Sequence, residues 1–206
     1  MVDDLSGLAE LRRRDAVLLY RLPGLADGTV VDGDGPATPT ALIETLRLAT
    51  QELVTTAQQM FDVSYAGLHI VTPGIRSVLA STDPGLPARI SDADSLSAVA
   101  MQLTDDSDVV ELRDAGRVPT LTANPFVDGQ QAAVRFYAAV TLVGREGLAL
   151  GALCISSGRP RELTRLERVE LRHMGYAALH LLDRHRRRAE RAGQVSSADK
   201  RLGSAR

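Results

Sequence analysis

The chain has 206 residues, a net charge of −2 and a hydrophobic content of 44%, which fits one domain with extensions. Aromatic residues make up 3% and tryptophan is absent, so the stacking platform that single-stranded nucleic acids need is not expected. Cys154 is the only cysteine, which excludes a disulfide framework and favours a reducing compartment. Without an apolar leader or an apolar run of about 18 residues, the sequence predicts a cytoplasmic protein with no membrane span.

The first segment, residues 1–39, predicts a short helix followed by a linker. Apolar positions recur among basic ones over residues 5–22, and Pro23-Gly24 ends this pattern. Residues 23–39 are rich in glycine and aspartate. They lack the alternating oxygen ligands and the closing glutamate of a calcium loop. A flexible linker is therefore predicted.

The second segment, residues 40–183, has the pattern of a folded domain. Apolar residues at helical spacing from Thr40 to Phe61 predict a long amphipathic helix. Shorter elements follow in chain order: strands at 65–72 and 77–81, a loop at 84–95, a helix at 96–103 and a strand at 109–112.

The apolar runs 134–142 and 148–156 are joined by a turn that contains glycine, and they predict a β-hairpin. Thr164 and Glu167 have the spacing of a capping box, in which each side chain accepts a hydrogen bond from the backbone N–H group of the other residue. A helix is therefore predicted from about Arg165 into the Arg184–Arg188 cluster. Helices that bracket an antiparallel sheet indicate an α+β fold.

The last segment, residues 184–206, begins with an arginine cluster and continues with small polar residues. Because its apolar face is lost, we predict a basic, disordered tail. The cluster Arg184–Arg191 could contact nucleic acid. A solvated helix end is favoured instead, since no nucleic-acid-reading element accompanies the cluster.

Four stretches carry a family resemblance: Asn124-Pro-Phe-Val, Val134-Arg-Phe-Tyr-Ala-Ala-Val-Thr-Leu, Leu150-Gly-Ala-Leu-Cys-Ile and Pro160-Arg-Glu-Leu-Thr. In this order they resemble a GAF domain, and the resemblance covers about residues 40–182. Phe126 stands where an aliphatic residue is usual, and Ala139 where glycine is usual.

The resemblance implies an antiparallel sheet of about six strands in a GAF/PAS-like fold. The N- and C-terminal helices would pack on one face, and loops would roof a pocket on the other. It also implies a free-standing bacterial sensory or regulatory module that binds a small molecule. Such a module would form a homodimer through the two helices and could act on a protein output partner. The alternative is a ligand-free GAF-fold scaffold or protein–protein interaction subunit.

Catalysis is not expected, although some GAF domains reduce free methionine sulfoxide. That reaction needs a nucleophilic and a resolving thiol, and Cys154 is alone in an apolar run, where a small buried side chain is expected. Residues 84–117 contain no cysteine for a covalently bound bilin. The histidines form no metal-binding motif, and no motif identifies a cofactor or the ligand.

The candidate ligand-binding residues are His69, Arg135, Tyr137 and Asp128. His69 lies on the opposite strand face from its apolar neighbours, where it could bind haem or another ligand; a satisfied, half-buried histidine is the alternative. Arg135 and Tyr137 share a strand face, and an arginine in the pocket would suit an anionic ligand. A solvent-facing Arg135 is the alternative. Asp128 lies in the loop region before the hairpin.

Overall fold

The computed structural model describes residues 39–72, 75–91, 93–103, 109–144, 147 and 149–203. The helix and linker expected before residue 39 lie outside the described residues. The elements in chain order are α1 (Pro39–Met60), β1 (Tyr65–Thr72), β2 (Ile75–Ser81), β3 (Arg89–Ser91), α2 (Leu96–Leu103), β4 (Val109–Leu112), two short 3-10 helices (Ala115–Arg117 and Pro119–Leu121), β5 (Phe136–Val143), β6 (Ala149–Ser157) and α3 (Arg165–Gly203).

The strands form one six-stranded sheet in the order β3-β2-β1-β6-β5-β4, and every neighbouring pair is antiparallel. The α+β fold with an antiparallel sheet of six strands is confirmed. The loop expected over residues 84–95 is wrong for Arg89–Ser91, which pairs with β2 as an edge strand. This strand has a single buried residue, Ile90, so it is too short to show an alternating pattern in the sequence.

Helices α1 and α3 pack against each other and against one face of the sheet, as the resemblance implied. Their contacts with the strands form a buried cluster that includes Val54, Phe136 and Leu171. The approach of α3 to β5 is close, because a Cβ atom on Gly175 would lie 2.7 Å from Cγ1 of Val140. No helix of the described residues is long and apolar enough to cross a membrane.

The other face of the sheet is covered by α2 and the loops, which form a second buried cluster. Ile90, Leu96, Leu121 and Phe126 come from these covering segments, and Cys154 comes from the sheet. The sheet therefore lies between a layer formed by α1 and α3 and a layer formed by α2 and loops, with one buried cluster on each face.

The capping box at the start of α3 is confirmed. The backbone N–H of Thr164 donates to Oε2 of Glu167 at 2.7 Å, and the N–H of Glu167 donates to Oγ1 of Thr164 at 3.2 Å. The helix is longer than predicted, because α3 continues to Gly203. Residues 184–203, which were expected to belong to a disordered tail, are therefore helical. Arginine is a good helix former, and Arg186 adds an ion pair with Glu190 one turn later at 3.0 Å.

Candidate functional site

A cavity of about 630 Å³ lies between the sheet and its covering loops, on the face away from α1 and α3. Its floor is formed by side chains of β1, β5 and β6. Its roof is formed by residues 82–87, the start of α2 and residues 131–134. Small-molecule sites typically enclose roughly 300–1,000 Å³, so the cavity is large enough for such a ligand.

Strand register gathers the polar side chains on the cavity floor. Tyr65 of β1 and Tyr137 of β5 both lie opposite Ser156 of β6, and Cys154 lies opposite Gly67. Opposite residues in paired strands share a face, which brings these side chains into one layer. Gly67 has no side chain, so the Tyr65 ring can lie over this row and reach His69.

His69 stands beside an irregularity in the sheet. Leu68 pairs with Ala80 but His69 pairs with Val78, so Leu79 is one extra residue in β2. A bulge of this kind bends the strand and changes where its side chains point. His69 is 6% exposed and faces the cavity, as expected for the face opposite Leu68.

A chain of hydrogen bonds links four side chains of the cavity wall. The hydroxyl of Tyr65 lies 2.8 Å from Nε2 of His69, and Oγ of Ser97 lies 2.8 Å from Nδ1. The hydroxyl of Tyr137 donates to Oγ of Ser97 at 2.9 Å. Ser97 is the second residue of α2, so this chain joins the sheet to the layer that covers it. We call Tyr65, His69, Ser97 and Tyr137 the polar relay.

Burial keeps the polar relay uncharged. Desolvation, helped by the nearby Arg76 guanidinium, lowers the pKa of His69 from 6.5 to about 4. Desolvation also raises the pKa values of the Tyr65 and Tyr137 hydroxyls well above their usual range. At neutral pH the imidazole is therefore neutral, with one donor and one acceptor nitrogen.

Cys154 is fully buried and lines the cavity. The burial expected from the sequence is confirmed, but the position on the cavity floor was not expected. Its thiol donates to the carbonyl of Gly67 at 3.4 Å, and Sγ lies 3.9 Å from Nε2 and 4.0 Å from Nδ1 of His69. Burial raises the pKa of the Cys154 thiol from 9.0 to about 11, and both imidazole nitrogens already face hydroxyls. The pair is therefore a neutral thiol beside a neutral imidazole.

The structure brings together two of the four predicted site residues, His69 and Tyr137, with Ser97 between them. Arg135 is not a cavity residue, because its Nη1 donates to the carbonyls of Val127 at 2.7 Å and Val134 at 3.0 Å. The loop carbonyls hold the guanidinium away from the cavity, so Arg135 does not line it, and its anion-binding role stays a prediction.

Asp128 also lies outside the cavity. It is exposed, and its carboxylate accepts hydrogen bonds from the backbone and side-chain nitrogens of Gln130, both at 2.8 Å. The residue therefore stabilises the turn that contains Gly129, whose φ is 100°. Asp128 is therefore not among the residues that line the cavity, and its role in ligand binding stays a prediction.

Two members of the polar relay were missed by the sequence analysis. Tyr65 is four residues before His69 and therefore on the same strand face, with Gly67 between them, so the pattern contained a signal. Ser97 is 28 residues from His69 and 40 from Tyr137. No local pattern marks a contact over such separations. Among the described residues, no group of three or more His, Cys, Asp or Glu side chains could hold a metal ion.

No protein-family model matches the sequence, and no curated protein matches it. Solved structures do match the fold. The GAF domain of PixJ from Thermosynechococcus elongatus, in its blue-light absorbing form, is 15% identical, with a TM-score of 0.60 over 78% of this chain and 98% of that one.

Two further structures are similar at comparable identity. A type II free methionine-R-sulfoxide reductase from Thermoplasma acidophilum is 16% identical, with a TM-score of 0.56 over 70% of this chain and 96% of that one. The GAF domain of a phosphoenolpyruvate-protein phosphotransferase from Coxiella burnetii is 17% identical, with a TM-score of 0.51 over 74% and 96%. At this identity the likeness concerns the fold. The chain has the fold of the GAF domains.

Proposed function

We propose that the chain is a non-enzymatic GAF-type sensory or regulatory module, which binds a small molecule in the cavity and signals through a helical dimer. The observation that carries the proposal is the cavity of about 630 Å³ with the polar relay in its wall. Ligand sites combine an apolar lining with a few convergent polar groups, and this cavity has both. A ligand-free scaffold would gain stability by filling such a space with side chains.

The chemistry of Cys154 supports a module without catalysis. Reduction of methionine sulfoxide requires a thiolate and a second thiol to resolve the intermediate. The chain has one cysteine, and the pKa of its thiol is raised to about 11 by burial. A thiol with this pKa is a weak nucleophile near neutral pH. The methionine-sulfoxide reductase of similar fold therefore carries an activity that we do not assign to this chain.

Exposed apolar side chains support a dimer through α1 and α3. Leu48 and Met60 on α1 are 62% and 51% exposed, and Leu166 and Tyr176 on α3 are 65% and 54% exposed. Contiguous exposed apolar patches are typical of surfaces that bind another protein, and these four side chains would contribute to such a patch in the proposed dimer. Occupancy of the cavity would shift the population of states of the module, and the helices would pass this shift to a protein output partner.

A thermal-shift screen tests ligand binding. The probes are nucleotides, haem, amino acids and oxidised methionine. We expect at least one small molecule to raise the melting temperature of the folded chain. The variant Ala133→Trp places a large side chain at an exposed position of the cavity lining and should abolish this shift. Ala123→Trp, at an exposed position outside the cavity lining and outside α1 and α3, is the matched control and should keep it.

Two outcomes would contradict parts of the proposal. If no compound in a broad library raises the melting temperature, the scaffold alternative replaces the sensor. Light scattering tests the dimer separately. A monomer at micromolar concentration would exclude the dimer and leave ligand binding in place.

A further inference from the structure

The described part of the cavity lining is almost free of charge. Its one charged side chain is Asp83, which is exposed. Arg135, the cation expected in the cavity from the sequence, is held by loop carbonyls instead. Arg76, whose guanidinium lies near His69, is buried outside the described lining. A charged ligand group at the floor would therefore lose its hydration without an ionic partner among the described lining residues, which is strongly unfavourable.

We propose that the ligand of this cavity is an uncharged molecule with a flat apolar body and an amide-like edge, in which a hydrogen-bond donor lies next to an acceptor. The inference rests on the proposed ligand-binding function and narrows the class of ligand. The polar relay binds the edge, and the apolar roof binds the body.

The polar relay can form a hydrogen bond with either a donor or an acceptor group of a ligand without becoming charged. Tyr137 donates to Ser97. If Ser97 then donates to Nδ1 of His69, the imidazole donates from Nε2 to Tyr65, and the Tyr65 hydroxyl can donate to a ligand. If the imidazole proton is on Nδ1 instead, Tyr65 donates to Nε2 and its oxygen accepts from a ligand, while the Ser97 hydroxyl becomes the available donor.

The polar relay is expected to be uncharged because its side chains are buried. His69 and Ser97 are 6% and 2% exposed, and the pKa of His69, lowered to about 4, keeps the imidazole uncharged at neutral pH. The helix that begins beside the cavity is already capped, since Oγ of Ser95 accepts from the backbone N–H of Ala98 at 3.3 Å. The floor therefore offers hydroxyl and imidazole groups as its hydrogen-bonding partners.

The roof suits an apolar body. Leu86, Ile90 and Leu96 line the cavity from the covering segments, together with Phe126 and Val134. All five belong to or pack against the second buried cluster. A ligand between this roof and the floor would meet apolar atoms on one side and hydrogen-bonding groups on the other, which favours a flat molecule with one polar edge.

A charge series on one aromatic body tests the inference. The probes are naphthalene-2-carboxamide, its carboxylate and its carboxamidine, which share a shape and are neutral, anionic and cationic near neutral pH. Affinities are measured by isothermal titration calorimetry with the wild-type chain. We expect the carboxamide to bind at least about tenfold more tightly than either ion, because only the ions leave a charge buried without a partner.

The variant Tyr65→Phe tests the role of the polar relay. It removes the hydroxyl that faces His69 and should reduce carboxamide affinity by about tenfold, since the amide edge then loses a buried hydrogen bond. Thr122→Val, which removes the hydroxyl of an exposed residue outside the cavity lining and outside α1 and α3, is the control and should leave the affinity unchanged. Circular dichroism confirms that both variants are folded.

The outcomes separate the two proposals. If an ion binds as tightly as the carboxamide, or if the thermal-shift screen yields only charged ligands, the inferred class is wrong while ligand binding stands. The inferred class is also wrong, and ligand binding again stands, if none of the three probes binds and the ligands found in the screen lack an amide-like edge. If neither the series nor the screen yields any ligand, both proposals fall. Equal loss of affinity in Tyr65→Phe and Thr122→Val would remove the polar relay from the site.

Discussion

The hydroxyl of Tyr65 lies 2.8 Å from Nε2 of His69, four residues along the same strand. The contact depends on the residue between them. A Cβ atom on Gly67 would lie 2.1 Å from the Tyr65 hydroxyl oxygen and 2.7 Å from Cζ. The tyrosine ring therefore occupies the space that a side chain at position 67 would need, and the glycine makes the first step of the polar relay possible.

The substitution Gly67→Ala should displace Tyr65 and break its hydrogen bond to His69. We expect the free energy of unfolding to fall by about 2 kcal/mol, because a buried polar group loses its partner and the ring must move. Urea unfolding measures this change. Gly158→Ala is the control, since the nearest atom to its Cβ would be 3.5 Å away, an ordinary contact. Equal stability of the two variants would contradict the proposed role of Gly67.

The burial of His69 predicts that stability falls in acid. The pKa of His69 is about 4 in the folded chain and 6.5 as an ordinary value. Between these values the unfolded chain binds more protons than the folded chain, so the free energy of unfolding rises with pH. The contribution is fully present above pH 6.5 and is lost as the pH falls towards 4. It amounts to about 3 kcal/mol over this window.

Urea unfolding at several pH values measures this dependence in the wild type and in His69→Gln. The variant should lose most of the dependence between pH 4 and 6.5 that the two pKa values define. His173→Gln, at an exposed position on α3, should keep the wild-type profile. If His69→Gln retains the full dependence, the imidazole does not titrate as its burial requires.

Cys154 should resist thiol reagents in the folded chain. With a thiol pKa of about 11 instead of 9.0, the thiolate fraction near neutral pH is about 100-fold lower than for an ordinary cysteine, and burial lowers access further. Ellman's reagent should therefore react at least about 100-fold more slowly with the native chain than with the chain in concentrated urea. Rapid reaction of the native chain would show a reactive thiol and would reopen the question of catalysis.

Glu111 should be important for the attachment of α3 to the sheet. Its carboxylate accepts from the backbone N–H of Leu163 at 2.9 Å and pairs with Arg168, and its side chain is 5% exposed. We expect Glu111→Ala to lower the free energy of unfolding by about 2 kcal/mol, less than for a fully buried pair because Arg168 is partly exposed. Thermal and urea unfolding measure the loss.

Glu190 offers a matched control for this ion pair. It also pairs with an arginine, Arg186, at 3.0 Å, but its side chain is 53% exposed. Glu190→Ala should change stability by at most about 0.5 kcal/mol, because solvent screens an exposed helical pair. If both variants lose the same stability, burial of Glu111 is not what makes its contact strong.

Local sequence patterns were sufficient to predict those elements whose own residues form a recognisable pattern. The capping box at Thr164 and Glu167 located the start of α3, since both groups satisfy each other within one turn. The apolar runs around Cys154 predicted the central hairpin for a similar reason. The edge strand Arg89–Ser91 was missed, because three residues with one apolar position have no recognisable period.

Local patterns were misleading where a neighbouring segment decides the outcome. Arg135 was expected to share a strand face with Tyr137, yet it precedes β5, and the carbonyls of Val127 and Val134 hold its guanidinium away from the cavity. The segment after Arg184 lost its apolar stripe, yet α3 continues to Gly203. The prediction gave too much weight to the loss of the apolar face. It gave too little weight to helix propensity and to ion pairs such as that of Arg186 with Glu190.

The sequence by itself determined the α+β class, the long helices that bracket the sheet, and the limits of most strands, because periodicity and capping act within a few residues. Tertiary structure alone decided which side chains meet on the cavity floor. The contacts from Ser97 to His69 and Tyr137 join α2 to two strands over 28 and 40 residues. Such contacts depend on how α2 lies across the sheet, and no short-range pattern encodes that placement.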